Sequence, residues 1–142
     1  MSGYGLNCEA ETLRAFEYAE CTGMIAHIND IIDAPTILQK YNILVFPGGF
    51  SYGDDTGSGR AYANKVKNHL QRALEDFVCR DTLTLGICNG FQILTHVGLL
   101  PGTLLHNEKA RYQDRWVDLA IESNSPWLRG ITSISLPIAH GE

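Results

Sequence analysis

The chain has 142 residues, the size of one domain and enough for a real core, with 44% hydrophobic and 19% charged residues. Its formal net charge of -5 argues against a nucleic-acid footprint, which needs a basic face, so no nucleic acid is expected. No apolar run approaches the length of a membrane span, so no membrane partner is expected, and Met1-Ser2-Gly3-Tyr4-Gly5 has neither the basic nor the apolar region of a secretory leader.

Residues 9–20 read as a helix, with Leu13, Phe16 and Ala19 at helical spacing on one face and Gly23 as its stop. Residues 24–28 form a short apolar strand candidate. Ile43-Leu44-Val45-Phe46 is a stronger one, ended by Pro47-Gly48-Gly49. Residues 51–59 read as a loop. Residues 61–78 form a long amphipathic helix with Val66, Leu70, Ala73, Leu74 and Phe77 facing inward. The strand Thr82-Leu83-Thr84-Leu85 follows, then a helix over residues 89–97, closed by Gly98 and Pro101-Gly102.

Beyond this point the pattern changes. Residues 103–105, 116–121 and 134–138 read as strands with no long helix between them. The strand–helix alternation of the first two thirds predicts an α/β fold with a doubly wound, parallel sheet. Both ends read as cut. The opening is loop-like where this architecture wants a first strand, and His140-Gly141-Glu142 follows a strand with no closing helix.

Cys8, Cys21, Cys79 and Cys88 form no CxxC pair and no zinc spacing. A domain of this size needs no disulfide staples. Free thiols in a reducing compartment are expected, one of them reactive. No metal site is expected: Asp54 and Asp55 are adjacent acids on a glycine-rich loop, read as solvated rather than as part of an oxygen-ligand array.

The reactive thiol is Cys88. Gly86-Ile87-Cys88-Asn89-Gly90 joins a strand to a helix, which is the pattern of a nucleophile elbow with Cys in place of Ser. The glycines permit a turn too sharp for residues with a Cβ. That turn lifts the middle side chain off the sheet at a helix N-terminus, where backbone N–H groups favour negative charge and can later hold an oxyanion. The second informative loop is Pro47-Gly48-Gly49-Phe50, at the end of another strand. A double glycine there can bring a backbone N–H up to a reacting carbonyl. The N–H groups of Gly49 and Asn89 together would make an oxyanion hole.

The stretches Pro47-Gly48-Gly49-Phe50-Ser51-Tyr52-Gly53-Asp54 and Gly86-Ile87-Cys88-Asn89-Gly90-Phe91-Gln92 resemble the class I glutamine amidotransferases. More narrowly, they resemble the glutaminase subunit or domain of phosphoribosylformylglycinamidine synthase. Asn7-Cys8-Glu9, Arg111-Tyr112-Gln113-Asp114-Arg115-Trp116 and Leu136-Pro137-Ile138-Ala139-His140-Gly141-Glu142 agree with that narrower family. The resemblance implies a flavodoxin-like, doubly wound, mostly parallel sheet of the amidotransferase type. Residues 1–142 would be a partial domain, lacking its first strand and its C-terminal part.

It also implies a reaction. Cys88 attacks the side-chain amide carbon of glutamine, the oxyanion rests on the N–H groups of Gly49 and Asn89, ammonia leaves, and water hydrolyses the thioester. Gln92 falls where relatives contact bound glutamine. The ammonia passes to a synthetase subunit or domain, which uses ATP and magnesium to convert formylglycinamide ribonucleotide to the amidine. This chain itself needs no cofactor. The implied setting is cytoplasmic purine biosynthesis.

A Cys–His site also needs a base. His140-Gly141-Glu142 matches an upstream motif of the family rather than its His-Pro-Glu catalytic pair, so His140 and Glu142 are not expected to be the partners of Cys88. His27, His69, His96 and His106 offer no substitute. A chain with nucleophile and oxyanion loops but no base is expected to be inactive alone. Two alternatives stay open: a hydrolase or deglycase-like protein of the same fold, and a non-catalytic remnant that only binds the synthetase.

Overall fold

A computed structural model describes residues 1–142 apart from Thr56 and Ser123. Thr56 belongs to the loop expected over 51–59 and lies outside the described residues. The chain divides into two compact units, Met1–Leu104 and Leu105–Glu142.

The first unit is a strand–helix–strand assembly. β1 (Ile43–Phe46) and β2 (Leu83–Gly86) pair in parallel, in register from Ile43↔Leu83 to Phe46↔Gly86. Between them runs the long helix α3 (Arg60–Val78), whose side chains at Tyr62, Val66, Leu70, Leu74 and Phe77 are all buried. Such spacing places one continuous stripe on the core side. Each large apolar side chain so buried contributes roughly 1.5–3 kcal/mol. α4 (Asn89–Val97) packs on both strands and on α3. The core therefore runs along the parallel pair, with Phe46, Tyr62 and Ile93 fully inside it. Tyr62 keeps its hydroxyl satisfied by donating to the Ser2 carbonyl at 3.0 Å, and burial raises its phenol well above the ordinary range.

The expected inward face of α3 and the span of α4 match the structure. Gly98, at φ 91°, ends α4, with the Leu99 N–H on the Leu94 carbonyl.

Three expectations are corrected in this unit. α1 covers Glu9–Tyr18 and stops before Gly23. The Cys21 N–H reaches the Phe16 carbonyl and the Glu20 N–H the Glu17 carbonyl, with Glu20 left-handed at φ 60°. That is a Schellman stop built on a glutamate. Leu13 and Phe16 are half-buried as expected, but Ala19 is exposed. Residues 24–28 form no strand: His27 makes one parallel bridge to Ser2, and α2 (Ile28–Asp33) begins at once. Ile28 pairs in burial with Ile31, a helical spacing, while Met24 and Ile25 stay exposed. The His27 Nδ1 caps the helix by accepting from the Asn29 N–H at 3.2 Å. A 3-10 turn over Pro35–Lys40 then buries Leu38.

The second unit is a hairpin. β3 (Gln113–Ala120) and β4 (Ser133–His140) pair antiparallel in an unbroken register from Gln113↔His140 to Ala120↔Ser133. Both strands run longer than the apolar runs 116–121 and 134–138 suggested, because the ladder is carried by backbone groups that polar residues supply equally well. Residues 103–105 form no strand. Among the described residues, neither β3 nor β4 pairs with residues 103–105.

Candidate active site

Parallel pairing in register makes β1 and β2 end side by side. The Ile87 N–H continues the ladder onto the Phe46 carbonyl at 3.0 Å. The next residue, Cys88, turns sharply, with φ 50° and ψ -112° immediately before α4. A non-glycine residue held there stores on the order of 1–3 kcal/mol. Gly90 makes the turn possible, since any Cβ there would collide with the Phe46 carbonyl oxygen. Gly86 is equally confined: its Cβ would lie 2.6 Å from Leu94 Cδ1. The Cys88 thiol is exposed.

The loop after β1 lies against this turn. A Cβ on Gly48 would sit 3.6 Å from both the Cys88 Cβ and the Cys8 Sγ, so the Gly48 backbone borders both cysteines. Gly49, at φ 150°, bridges to Leu6, and a Cβ there would meet the Gly5 oxygen at 2.5 Å. Pro47, Gly48 and Gly49 are buried, and Phe50 is exposed. Among the described residues, the N–H groups of Gly49 and Asn89 donate to no backbone carbonyl.

The side chain of Asn89 joins the two loops. It is fully buried. Its Oδ1 accepts from the Ser51 N–H at 3.0 Å, and its Nδ2 donates to Asp54 Oδ1 at 3.2 Å and to Gln92 Oε1 at 3.0 Å. The turn it grips, Ser51–Asp54, carries left-handed φ at Tyr52 (54°), Gly53 (67°) and Asp54 (57°). Two non-glycine residues in that region cost roughly 1–2 kcal/mol each. On the far side of the turn the Tyr52 ring stacks on Tyr4 with centroids 4.8 Å apart, and the Tyr52 N–H donates to the Tyr4 carbonyl at 2.7 Å.

The structure therefore brings the Gly48–Gly49 loop, Cys88 and Asn89 into one neighbourhood, with Gln92 bonded to the Asn89 side chain. Gln92 is buried, and its Oε1 accepts from the Asn89 amide. The reading of Asp54 is corrected: it is half-buried and bonded, not a solvated loop acid. The roles of Ser51 and of the Asn89 carboxamide escaped the sequence reading. A buried amide next to a nucleophile has no periodic signal.

Cys8 is the nearest other thiol. Burial raises its pKa above the usual value, and the charges of Glu11, Cys88 and Glu9 push the same way. The histidines of this unit are placed away from the elbow or in structural roles: His27 caps α2, His69 is exposed on α3, and His96 is in the last turn of α4. In the second unit, His106 Nδ1 lies 4.0 Å from Glu142 Oε1, and the Asn107 amide donates to the His140 carbonyl at 3.0 Å. Trp116 is 70% exposed in that unit. Among the described residues no cluster of three or more His, Cys, Asp or Glu side chains could hold a metal ion, and no helix is long and apolar enough to cross a membrane.

Residues 1–142 match the CobB/CobQ-like glutamine amidotransferase domain over their whole length. The chain belongs to that family. This amidotransferase domain is 50% identical to a phosphoribosylformylglycinamidine synthase subunit PurQ of Methanococcus maripaludis, over 100% of the chain and 57% of the relative. It is 42% identical to the subunit of the same name from Dehalococcoides mccartyi, over 97% of the chain and 58% of that protein. Among solved structures it is similar to a chain of PurLQS from Thermotoga maritima, with 33% identity and a TM-score of 0.69, covering 99% of this chain and 64% of that one. The mixed α/β fold with a parallel sheet is thus that of a class I glutamine amidotransferase. The chain spans somewhat over half the length of the curated relatives it matches.

Proposed function

We propose that this domain is the glutaminase component of phosphoribosylformylglycinamidine synthesis, and that Cys88 is its nucleophile. The observation that carries the reading is the strained Cys88 conformation, φ 50° and ψ -112°, at the strand–helix elbow beside the double glycine. An exposed thiol held there is presented to an amide carbon, with two backbone N–H groups close to where charge develops. The Cys88 Sγ attacks the side-chain amide carbon of glutamine. The oxyanion is held by the N–H groups of Gly49 and Asn89, ammonia departs as the glutamyl thioester forms, and water releases glutamate. Gln92, one turn after Cys88, meets the bound glutamine.

The names of the similar proteins, a synthase subunit and a chain of PurLQS, support assembly with a synthetase partner, and in this reading that partner takes up the ammonia. In this reading ATP and magnesium act in that partner and not here. Four free cysteines fit a reducing, cytoplasmic setting. His140 and Glu142 are not assigned as base and orienter: the Glu142 carboxylate faces His106 instead. The family match favours the amidotransferase over a deglycase-like hydrolase.

The test is glutamine turnover by the full-length protein with its synthetase, with mass spectrometry of the trapped enzyme. A glutamyl adduct on Cys88 is expected. Cys88→Ala is expected to abolish both the adduct and glutamate release, a loss of at least ~10⁴-fold by analogy with removal of other catalytic nucleophiles. Undiminished glutamate release from Cys88→Ala would sink the reading.

A further inference from the structure

We infer that the Asn89 side chain is a positioning residue: it latches the Ser51–Asp54 turn to the nucleophile elbow and thereby holds the Gly49 N–H beside Cys88. The inference rests on the glutaminase reading above and adds a role for a group that reading does not use. Asn89 enters the proposed chemistry through its backbone N–H, whereas the latch is its carboxamide.

The carboxamide is fully buried and spans the two loops that leave β1 and β2. It accepts from the Ser51 backbone and donates to the Asp54 carboxylate, so it grips both ends of one turn. That turn is held in left-handed backbone at Tyr52, Gly53 and Asp54, a conformation it keeps only while its surroundings enforce it. Ser51 follows Gly49 by two residues. The peptide between them is pinned on its other side by the Phe50 N–H on the Gly5 carbonyl, 2.9 Å. Release of Ser51 and Asp54 from the elbow leaves the loop tied to the 4–8 segment, through this bond, the Leu6–Gly49 bridge and the Cys8 N–H on the Gly48 carbonyl, with its tie to the Cys88 side loosened. Gln92 completes the lock by accepting the second Nδ2 hydrogen, which fixes the direction in which the carboxamide faces.

Donor direction supplies a specific test. Asn89→Asp keeps the acceptor for Ser51 but replaces the donor with a carboxylate facing Asp54 and Gln92 Oε1. Asp54→Asn alone keeps an acceptor for Asn89. Combined, the two substitutions reverse the pair, because the new amide at 54 donates to the new carboxylate at 89.

The measurements are glutamine hydrolysis by the full-length protein with its partner, iodoacetamide alkylation of Cys88, and amide hydrogen exchange across residues 51–54. A misaligned oxyanion donor lowers kcat by roughly 30–100-fold while leaving KM within about threefold, since the donor acts on charge that exists only in the transition state. Asn89→Asp is expected to show that split, with iodoacetamide reactivity within about twofold of wild type when both are compared at a pH high enough to reach their limiting alkylation rates, where the added carboxylate no longer sets the thiolate fraction and no oxyanion hole is used. Exchange across 51–54 should speed up in Asn89→Asp, and the double variant should recover most of both kcat and protection. An active wild type with unchanged kcat in Asn89→Asp overturns the inference alone. So does a parallel loss of kcat and alkylation with no recovery in the double variant, which would mark a merely structural amide. A wild type that hydrolyses no glutamine overturns the glutaminase reading and this inference with it.

Discussion

Cys8 and Cys88 border the same glycine, yet their surroundings differ. Cys88 sits at the elbow as the residue before α4, whereas Cys8 sits at the start of α1 with two glutamates in the first helical turn. Partial desolvation is the largest cause of its raised pKa, followed by the charges of Glu11, Cys88 and Glu9, all of which disfavour the thiolate. The thiolate is the species that alkylates. At neutral pH Cys8 is therefore almost wholly protonated, and its alkylation rate should climb about tenfold per pH unit, without levelling off by pH 9. Glu11→Gln removes one of the repelling charges and should move the rise to lower pH. Iodoacetamide labelling at several pH values, with peptide mapping to separate Cys8 from Cys88, reads this directly. A Cys8 plateau below pH 9 would contradict it.

The end of α1 shows how a correct local rule can choose the wrong residue. Gly23 looked like the stop because glycine is the usual left-handed residue after a helix. The chain instead uses Glu20 at φ 60°, and the bonds from Cys21 to Phe16 and from Glu20 to Glu17 close the motif. A left-handed glutamate is strained by its Cβ, so Glu20→Gly should stabilise the protein. The gain is about 0.5–1 kcal/mol, because relief of roughly 1–2 kcal/mol is partly offset by the greater freedom of glycine in the unfolded chain. A higher denaturant midpoint at unchanged slope is the expected result, and a lower midpoint would refute the assignment. The same contrast runs through the other elements. α3 and α4 were legible because their apolar residues recur at helical spacing, and β1 and β2 because short apolar runs end at Pro47 and Gly86. The elbow was legible because Gly86 and Gly90 are required by steric contacts that only a sharp turn creates. α2 was not, because Ile28 read equally well as the end of a strand until its partner in burial, Ile31, could be seen. The Asn89 latch was invisible for a different reason: its partners Ser51 and Asp54 are distant in sequence, and nothing in a string of residues shows which amide is buried.

At the scale of the whole chain the two units differ in what holds them. Met1–Leu104 has a continuous buried cluster around Phe46, Val66, Leu70 and Ile93. Leu105–Glu142 is organised by backbone pairing, and none of the residues in β3 or β4 is fully buried. Its register sets Val117, Leu119, Ile134, Leu136 and Ile138 on one face, since paired residues share a side, and Leu119 and Leu136 remain 44% and 40% exposed. A two-stranded ribbon with an incompletely covered apolar face is marginal in water. Local opening of β3–β4 should therefore cost only about 0–2 kcal/mol, far below the value for α3 and the β1–β2 pair, which open only with the core. Native-state hydrogen exchange on the 142-residue chain measures both. Amides of Gln113–Ala120 and Ser133–His140 should exchange first, at rates insensitive to core substitutions such as Leu70→Ala, whereas the α3 amides should lose protection in step with that variant's stability, roughly 2–5 kcal/mol. If the hairpin amides instead tracked α3, the ribbon would be part of one cooperative unit, and its stability would have to come from burial rather than from its own ladder.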